Sequence, residues 1–260
     1  MEDYNVKRTV FADGVVDTRI YKKMIKGGGL TDEQRQEAMI NALFKQEPTE
    51  EQIEDNKRRS AARAKQNIYD ICRNENWDWF VTLTLNPEKV DRYNYNECSK
   101  KVSQWLKNCR KKCPDLKYII VPEMHDDGAF HFHGLLANIE NLVITCSGHK
   151  AKKTGDIIYN LDSYRFGWST MTKVKNNDAV IKYMTKYITK ELIGMVKGKK
   201  KYWVSRNVER PKYEYEELNN FDKCIMWQEL MDTAISGSER IGNWNEVMYF
   251  QNSLLTSASK

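Results

Sequence analysis

The clearest strand signal in the chain is an alternation of apolar and hydroxyl-bearing residues between positions 77 and 85. The apolar positions are Val81, Leu83 and Leu85, and the hydroxyl positions between them are Thr82 and Thr84. Because successive side chains of a strand point to opposite faces, this pattern gives one apolar face and one hydroxyl face. Asn86 and Pro87 then end the strand.

Periodicity and boundary residues predict the other elements on either side of this strand. They are helices over 49–73, 96–112 and 178–193, and strands over 117–123, 130–136, 164–174 and 201–208. Residues 138–159 are poorly patterned and are expected to form an excursion. The order of the elements favours an α+β fold, with helices on one side of an antiparallel sheet, over a doubly wound parallel sheet.

The same patterns predict three regions along the chain. Residues 1–54 are expected to form a polar N-terminal extension with a flexible break at Gly27–Gly29. Residues 55–210 contain the patterned strands and helices and form the main domain. Residues 211–260 are expected to form a C-terminal tail that is partly helical and carries no motif.

Composition argues against several classes of protein. The mean hydropathy is -0.73 and apolar runs are only a few residues long, so no transmembrane helix is expected. The first residues lack the basic and apolar regions of a signal peptide. The six cysteines are scattered along the chain, and we expect reduced thiols in a cytoplasmic protein. Secretion, membrane insertion and a disulfide scaffold are therefore not expected.

Charge adds a partner class. Lys and Arg outnumber Asp and Glu by 42 to 36, which gives a net charge of +6. The basic residues gather over 100–112, 150–153 and 182–201, with aromatic residues between them. Such a mixture fits single-stranded nucleic acid, which offers phosphates to cations and bases to aromatic rings. Charge alone fits an ordinary solvated surface equally well.

A cluster of histidines suggests a metal site. Three of the four histidines are His125, His131 and His133. His131 and His133 are two apart in a strand, so both imidazoles project from one face. Glu123, on the preceding strand before the turn at 126–128, offers a carboxylate across the hairpin, and this set suits a divalent cation with open positions. His125 is either a fourth contact or an outer partner, and the alternative is that the imidazoles are structural. Cys109 and Cys113 have no second pair at zinc spacing and are expected to be core or edge thiols.

A tandem repeat of Tyr-x-x-Lys marks the helix over 178–193. Tyr183 and Tyr187 lie one turn apart, as do Lys186 and Lys190 in a second row. A metal that polarises a phosphate, together with nearby ammonium groups, would favour attack by a phenol. The sequence thus predicts a tyrosine that becomes linked to a DNA phosphodiester. The alternative is an amphipathic helix with tyrosines at its rim.

Three motifs together resemble those of the HUH endonucleases. They are Phe80–Asn86, His131–Phe132–His133, and Tyr183–Lys190. The histidines precede the tyrosines, as in rolling-circle replication initiators, and the tandem tyrosines are similar to the two-tyrosine initiators of single-stranded DNA phages and small bacterial plasmids. The resemblance covers about residues 55–210 and implies a ferredoxin- or RRM-like antiparallel sheet, the palm of an HUH nuclease.

The resemblance also implies an activity and a set of site residues. The expected activity is nicking and joining of single-stranded origin DNA with Mg²⁺ or Mn²⁺, through a covalent 5′-phosphotyrosine link. It implies Tyr183 and Tyr187 as nucleophiles assisted by Lys186 and Lys190. The implied metal ligands are Glu123, His131 and His133, and the expected DNA contacts are Thr82, Thr84, Asn86, Lys182, Lys197, Lys199 and Lys200.

The expected partners follow from the same resemblance. Gly194–Lys199 has the wrong spacing for a phosphate loop, so no nucleotide cofactor is expected, and a host helicase and polymerase would extend the nicked strand in the cytoplasm of a bacterial cell. The sequence leaves open which tyrosine cuts first and whether the replicon is a phage or a plasmid. It also leaves open a related transposase or mobilisation protein and a basic DNA-binding regulator without enzymatic activity.

Overall fold

The computed structural model describes residues 2–27, 32–43, 47–188, 190–196, 198–233, 235–241 and 245–253. The chain divides into two compact units, one of Asn56–Arg210 and the other of Met1–Asp55 with Pro211–Lys260. In chain order the elements are β1 (Tyr4–Val10), β2 (Val15–Ile25), α1 (Asp32–Leu43), α2 (Glu50–Asn74), β3 (Trp79–Leu85), α3 (Tyr95–Lys112), β4 (Lys117–Met124), β5 (Phe130–Ala137), β6 (Ile144–Lys150), β7 (Ile157–Leu161), β8 (Gly167–Lys173), α4 (Asn177–Lys186), α5 (Lys190–Met195), β9 (Trp203–Val204), β10 (Lys212–Glu216), α6 (Asn220–Thr233), β11 (Ile235–Ile241) and β12 (Asn245–Ser253).

The unit of residues 56–210 is built on a seven-stranded sheet with the order β6-β7-β8-β3-β5-β4-β9. Each central strand pairs antiparallel with its neighbours. Strand β3 lies in the middle, between β8 and β5. The predicted α+β fold with an antiparallel sheet is therefore confirmed.

One face of this sheet is an apolar core. Val81, Leu83 and Leu85 of β3 are almost completely buried. Helix α3 packs on this face, since the ring of Tyr95 lies 5.0 Å from that of Phe130. The helix begins as its sequence indicates, because the side chain of Asn94 accepts hydrogen bonds from the first backbone amides.

A glycine allows the strands to approach each other closely within this core. A Cβ at Gly134 would lie 2.2 Å from Cδ1 of Ile120 and 2.7 Å from the carbonyl oxygen of Ile119. The residue next to His133 in β5 must therefore be a glycine if β4 is to stay in place. The position of His133 depends on this fit.

The structure corrects four sequence predictions in this unit. The expected excursion over 138–159 contains strands β6 and β7, which extend the sheet. The expected helix over 178–193 is broken into α4 and α5, and the strands expected over 164–174 and 201–208 are shorter, at Gly167–Lys173 and Trp203–Val204. The six cysteines are free thiols, and Cys109 and Cys113 are buried as expected.

The other unit is a five-stranded sheet with the order β10-β1-β2-β12-β11. Val6, Ile20 and Phe250 form its small core, with apolar residues of α6 packed against them. The predicted extension and tail thus contribute strands to one sheet, which their sequence patterns did not indicate. Gly28 and Gly29 of the expected break lie outside the described residues. The helices that the structure describes are all too short or too polar to span a bilayer.

Candidate active site

The candidate metal ligands lie in one row across the polar face of the seven-stranded sheet. Glu123 of β4 pairs directly with His131 of β5, and His131 pairs with Thr84 of β3. In the next row His133 pairs with Thr82. The structure therefore brings together the carboxylate and both imidazoles, because strand pairing fixes their register.

His133 is held from both sides. Its Nε2 lies 2.6 Å from Oε2 of Glu123, and its Nδ1 lies 3.1 Å from Oγ1 of Thr82. Since a carboxylate only accepts hydrogen bonds, this network assigns the proton of a neutral ring to Nε2 and lets the hydroxyl donate to Nδ1. His131 is oriented in a similar way, with its Nδ1 3.3 Å from Oγ1 of Thr84. The hydroxyl face of β3 thus orients the two histidines.

Burial keeps both rings neutral. It lowers the pKa of His133, although the hydrogen bond to Glu123 acts in the opposite direction. Burial together with the neighbouring His125 lowers the pKa of His131. A neutral imidazole retains a lone pair, which is the form that binds a metal ion.

His125 completes a stack beside this pair. Its ring lies 4.0 Å from the ring of His131, and its Nε2 lies 3.7 Å from Oε2 of Glu123. The predicted turn places it there, because the amide of His125 bonds to the carbonyl of Ala129 and Gly128 has a positive φ of 85°. Its position fits either of the two roles that the sequence left open.

The donor set matches the chemistry of a divalent metal, but the ligands are closed on each other. Within the described ranges, no three His, Cys, Asp or Glu side chains already form a group that could hold an ion. Nitrogen and oxygen ligands at ~2.1 Å from one ion lie about 3 Å apart, so the 2.6 Å contact between His133 and Glu123 must widen. Glu123 has room to move, since its side chain is 27% exposed.

Helix α4 brings both predicted tyrosines to the histidine face. Its first turn is capped by Asn176, whose side chain accepts from the amide of Ala179. The ring of Tyr187 stacks on that of His133 at 4.3 Å and 11°, while the ring of Tyr183 meets His133 edge-on at 5.8 Å. The two tyrosine rings are 5.0 Å apart.

The two tyrosines differ in accessibility. Tyr183 is 41% exposed, whereas Tyr187 is 7% exposed and caps the end of α4. Burial raises the pKa of Tyr187 well above its ordinary value, and its hydrogen bond with Tyr183 acts in the same direction. Tyr183 is therefore the phenol that an incoming phosphate can reach in this conformation.

Sequence reasoning missed one aromatic neighbour. Phe80 stacks against His133 at 5.9 Å and meets Tyr183 edge-on at 5.2 Å. It pairs with Leu135 in β5, on the same face as Thr82 and His133. The alternation along β3 could have revealed it, since Phe80 has the same parity as the two threonines.

The predicted lysines are distributed over several places. Lys182 and Lys186 are exposed on α4 beside Tyr183. Lys190 begins α5, and its side chain, like the whole of Lys197, lies outside the described residues.

Lys199 and Lys200 lie on the side of α3. Nζ of Lys199 is 5.9 Å from the ring of Tyr95, and Lys200 lines a groove with Arg110 and Trp203. The structure therefore does not bring these two lysines to the tyrosines.

The predicted DNA contacts on β3 already have structural partners. Thr82 and Thr84 contact the histidines, as described above. Asn86 forms the turn after the strand, since its Oδ1 accepts from the amide of Glu88. These side chains position the site, whatever they also touch on DNA.

Residues 78–192 match the model of a family of replication-associated proteins, the ORF2 type. The matched segment runs from the start of β3 into α5 and so contains the histidines and both tyrosines. No curated protein and no solved structure matches the chain. The family match supports a replication-associated protein that acts in the initiation of replication.

Proposed function

We propose that this chain is a rolling-circle replication initiator that nicks and rejoins single-stranded origin DNA through a covalent tyrosine intermediate. The observation that carries the proposal is the stacking of Tyr187 on His133, with Tyr183 in contact with both rings. Two phenols, two imidazoles and a carboxylate converge on one face of the sheet. The replication-associated family match supports the biological role.

The phenol of Tyr183 would attack the scissile phosphorus. A bond forms between the phenol oxygen and phosphorus, and the bond from phosphorus to the 3′ oxygen breaks. The phenol proton passes to solvent and the departing 3′ oxygen takes up a proton, so that a free 3′ hydroxyl and a 5′-phosphotyrosine remain. Because one phosphodiester replaces another, the reverse attack rejoins the strand without ATP.

Glu123, His131 and His133 would hold a Mg²⁺ or Mn²⁺ ion, which supplies charge neutralisation at the phosphate. The hydroxyl of Thr82 can accept as well as donate a hydrogen bond, so it can hold His133 with its proton on Nδ1 and leave the Nε2 lone pair available. Lys186, exposed at the end of α4, would add positive charge near the phosphate.

The exposure of the tyrosines suggests an order of action. Tyr183 attacks first, because it is the accessible phenol. Tyr187 must leave its stack on His133 before it can reach a phosphate. It would act in the second cleavage, after the first link has formed.

Metal-dependent formation of a protein–DNA adduct tests the proposal. Labelled single-stranded DNA from the protein's own replicon is incubated with the protein and Mn²⁺, with or without a chelator, and separated on a denaturing gel. We expect an adduct with the wild-type protein, a much weaker one with Tyr183→Phe, partial retention with Tyr187→Phe, and none with the double variant.

The same gel distinguishes the competing functions. An adduct that persists in the double variant would place the nucleophile elsewhere. DNA binding with no adduct and no effect of the chelator would instead indicate a DNA-binding protein without this chemistry. Cleavage confined to the ends of a mobile element, with none at an origin, would indicate a transposase.

A further inference from the structure

We infer that Trp168 is a stacking platform for a base of single-stranded DNA beside the candidate active site. The inference rests on the proposed function for the path of the DNA, because the strand must cross the histidine face to be cut. Neither the replication family match nor the three sequence motifs assigns any role to this residue.

Strand pairing places Trp168 in the same row as the candidate metal ligands. Trp168 of β8 pairs directly with Thr84 of β3, Thr84 pairs with His131, and His131 pairs with Glu123. Adjacent strands lie about 4.8 Å apart, so Trp168 is roughly 10 Å from His131 along the row. A strand whose phosphate lies at the histidines therefore has neighbouring nucleotides over Trp168.

The parity of β8 puts this ring on the polar face. Ser169 and Met171 point to the interior and are buried, whereas Trp168 and Thr170 point the other way. Trp168 is 59% exposed, although it is the largest side chain in the strand. A single exposed apolar residue is ordinary. What is unusual here is its place in the row that holds the histidines.

The position of Trp168 is fixed by its neighbour. A Cβ on Gly167 would lie 2.0 Å from the carbonyl oxygen of Thr84, so only glycine lets β8 approach β3 this closely. The amide of Asn86 also bonds to the carbonyl of Phe166 at 2.9 Å. A backbone held on both sides of Trp168 presents the ring to a base in a defined position.

Positive charge lies at the same end of the sheet. Nζ of Lys89 donates to the carbonyl oxygen of Arg165, three residues before Trp168, and both side chains are exposed. Cations beside an exposed aromatic ring are the combination that binds single strands, since the cations bind phosphates and the ring stacks on bases of any sequence. This combination commits the surface to single-stranded DNA.

A comparison of based and baseless strands tests the stacking directly. We would measure by fluorescence anisotropy the binding of a labelled thymidine oligonucleotide and of an abasic deoxyribose-phosphate strand of the same length, at one fixed salt concentration. The proteins are wild type, Trp168→Ala and Trp168→Phe. Phe221→Ala serves as the control, because Phe221 is also an exposed aromatic residue, at 74%, and lies on α6.

We expect Trp168→Ala to weaken binding of the thymidine strand by about 5- to 100-fold, the range found for one stacked base, and to leave binding of the abasic strand unchanged. Trp168→Phe should keep most of the preference for bases, and Phe221→Ala all of it. An unchanged preference in Trp168→Ala would overturn the inference, as would an equal loss for both strands. Neither readout requires nicking, so failure of the proposed activity would be seen separately, on the adduct gel.

Discussion

The two faces of the seven-stranded sheet use the same strands for different purposes. On β5, Phe132 faces the core and is fully buried, while His131 and His133 on either side of it face Glu123 and the tyrosines. On β3, Leu83 is buried between Thr82 and Thr84, which hold the two histidines. Alternate residues therefore stabilise the fold or position the chemistry.

This division explains how a polar, partly exposed cluster keeps a defined geometry. The apolar face fixes the backbone of β3, β4 and β5, and strand register then sets which side chains are opposite each other. A change on one face should therefore alter stability with little direct effect on chemistry, and a change on the other face should do the reverse.

Removal of one imidazole should have the largest effect on activity. We expect His133→Ala to reduce the rate of adduct formation by more than the ~100-fold upper range for loss of an outer partner, because the ring contacts Glu123 and both tyrosines. Unfolding in urea should change little. The rate is measured under single-turnover conditions with Mn²⁺.

The fourth histidine supplies the matched control. His149 is exposed on β6, away from the histidine row, and His149→Ala should nick at the wild-type rate. Full activity in His133→Ala would remove the histidine pair from the mechanism.

Truncation on the other face should have the largest effect on stability. We expect Phe132→Ala to lower the free energy of unfolding by about 3–5 kcal/mol, because a fully buried ring is lost and a cavity remains. Thr170→Ala, an exposed change on β8, should lie within about 0.5 kcal/mol of wild type. Urea unfolding measures both, and a loss below about 1 kcal/mol for Phe132→Ala would contradict the assignment of this face as the core.

Loss of a supporting hydroxyl should have a smaller effect, confined to activity. Thr82→Val keeps the shape of the side chain but removes the partner of Nδ1 of His133. We expect adduct formation to slow by ~10–100-fold, with a higher Mn²⁺ requirement, because the ring loses its orientation and the acceptor for its proton. The rate is measured over a Mn²⁺ titration.

The row itself contains a control for this change. Thr170→Val alters the residue paired with Thr82 on β8, which makes no contact with a histidine ring in the described structure. It should leave both the rate and the Mn²⁺ requirement unchanged. Equal behaviour of the two valine variants would show that the hydroxyl of Thr82 does not orient His133.

The features predicted best from sequence were those encoded within one or two neighbouring strands. The spacing of His131 and His133 fixes their common face, and the turn at Gly128 brings them opposite Glu123. The parity of β3 likewise predicts its buried and polar sides. These are short-range properties of an antiparallel hairpin.

Other features depend on interactions that no local pattern contains. Strands β6 and β7 are mostly exposed, so they lack the apolar alternation that marks a strand. In the other unit, β1 pairs with β10 about 200 residues further along the chain, as in the pair Val6 and Glu216. Such pairing requires the tertiary structure.

The break after α4 and the depth of the tyrosines were also beyond the sequence. No proline or glycine marks the end of α4 at Tyr187. Helical spacing predicted that Tyr183 and Tyr187 share a side, and they do lie together. It did not predict that one is exposed and the other buried, because that depends on what packs around each ring.

Mass-spectrometric mapping of the DNA-linked tyrosine tests the proposed chemistry most directly. Trypsin cleaves after Lys182, Lys186 and Lys190, so the two tyrosines fall on separate peptides that differ by Met184 and Ile188. After one round of nicking in Mn²⁺ and nuclease trimming, we expect the remaining nucleotide on the peptide Tyr183–Lys186. A nucleotide only on Tyr187–Lys190 would contradict the proposed order, and one on neither peptide would contradict the tyrosine mechanism itself.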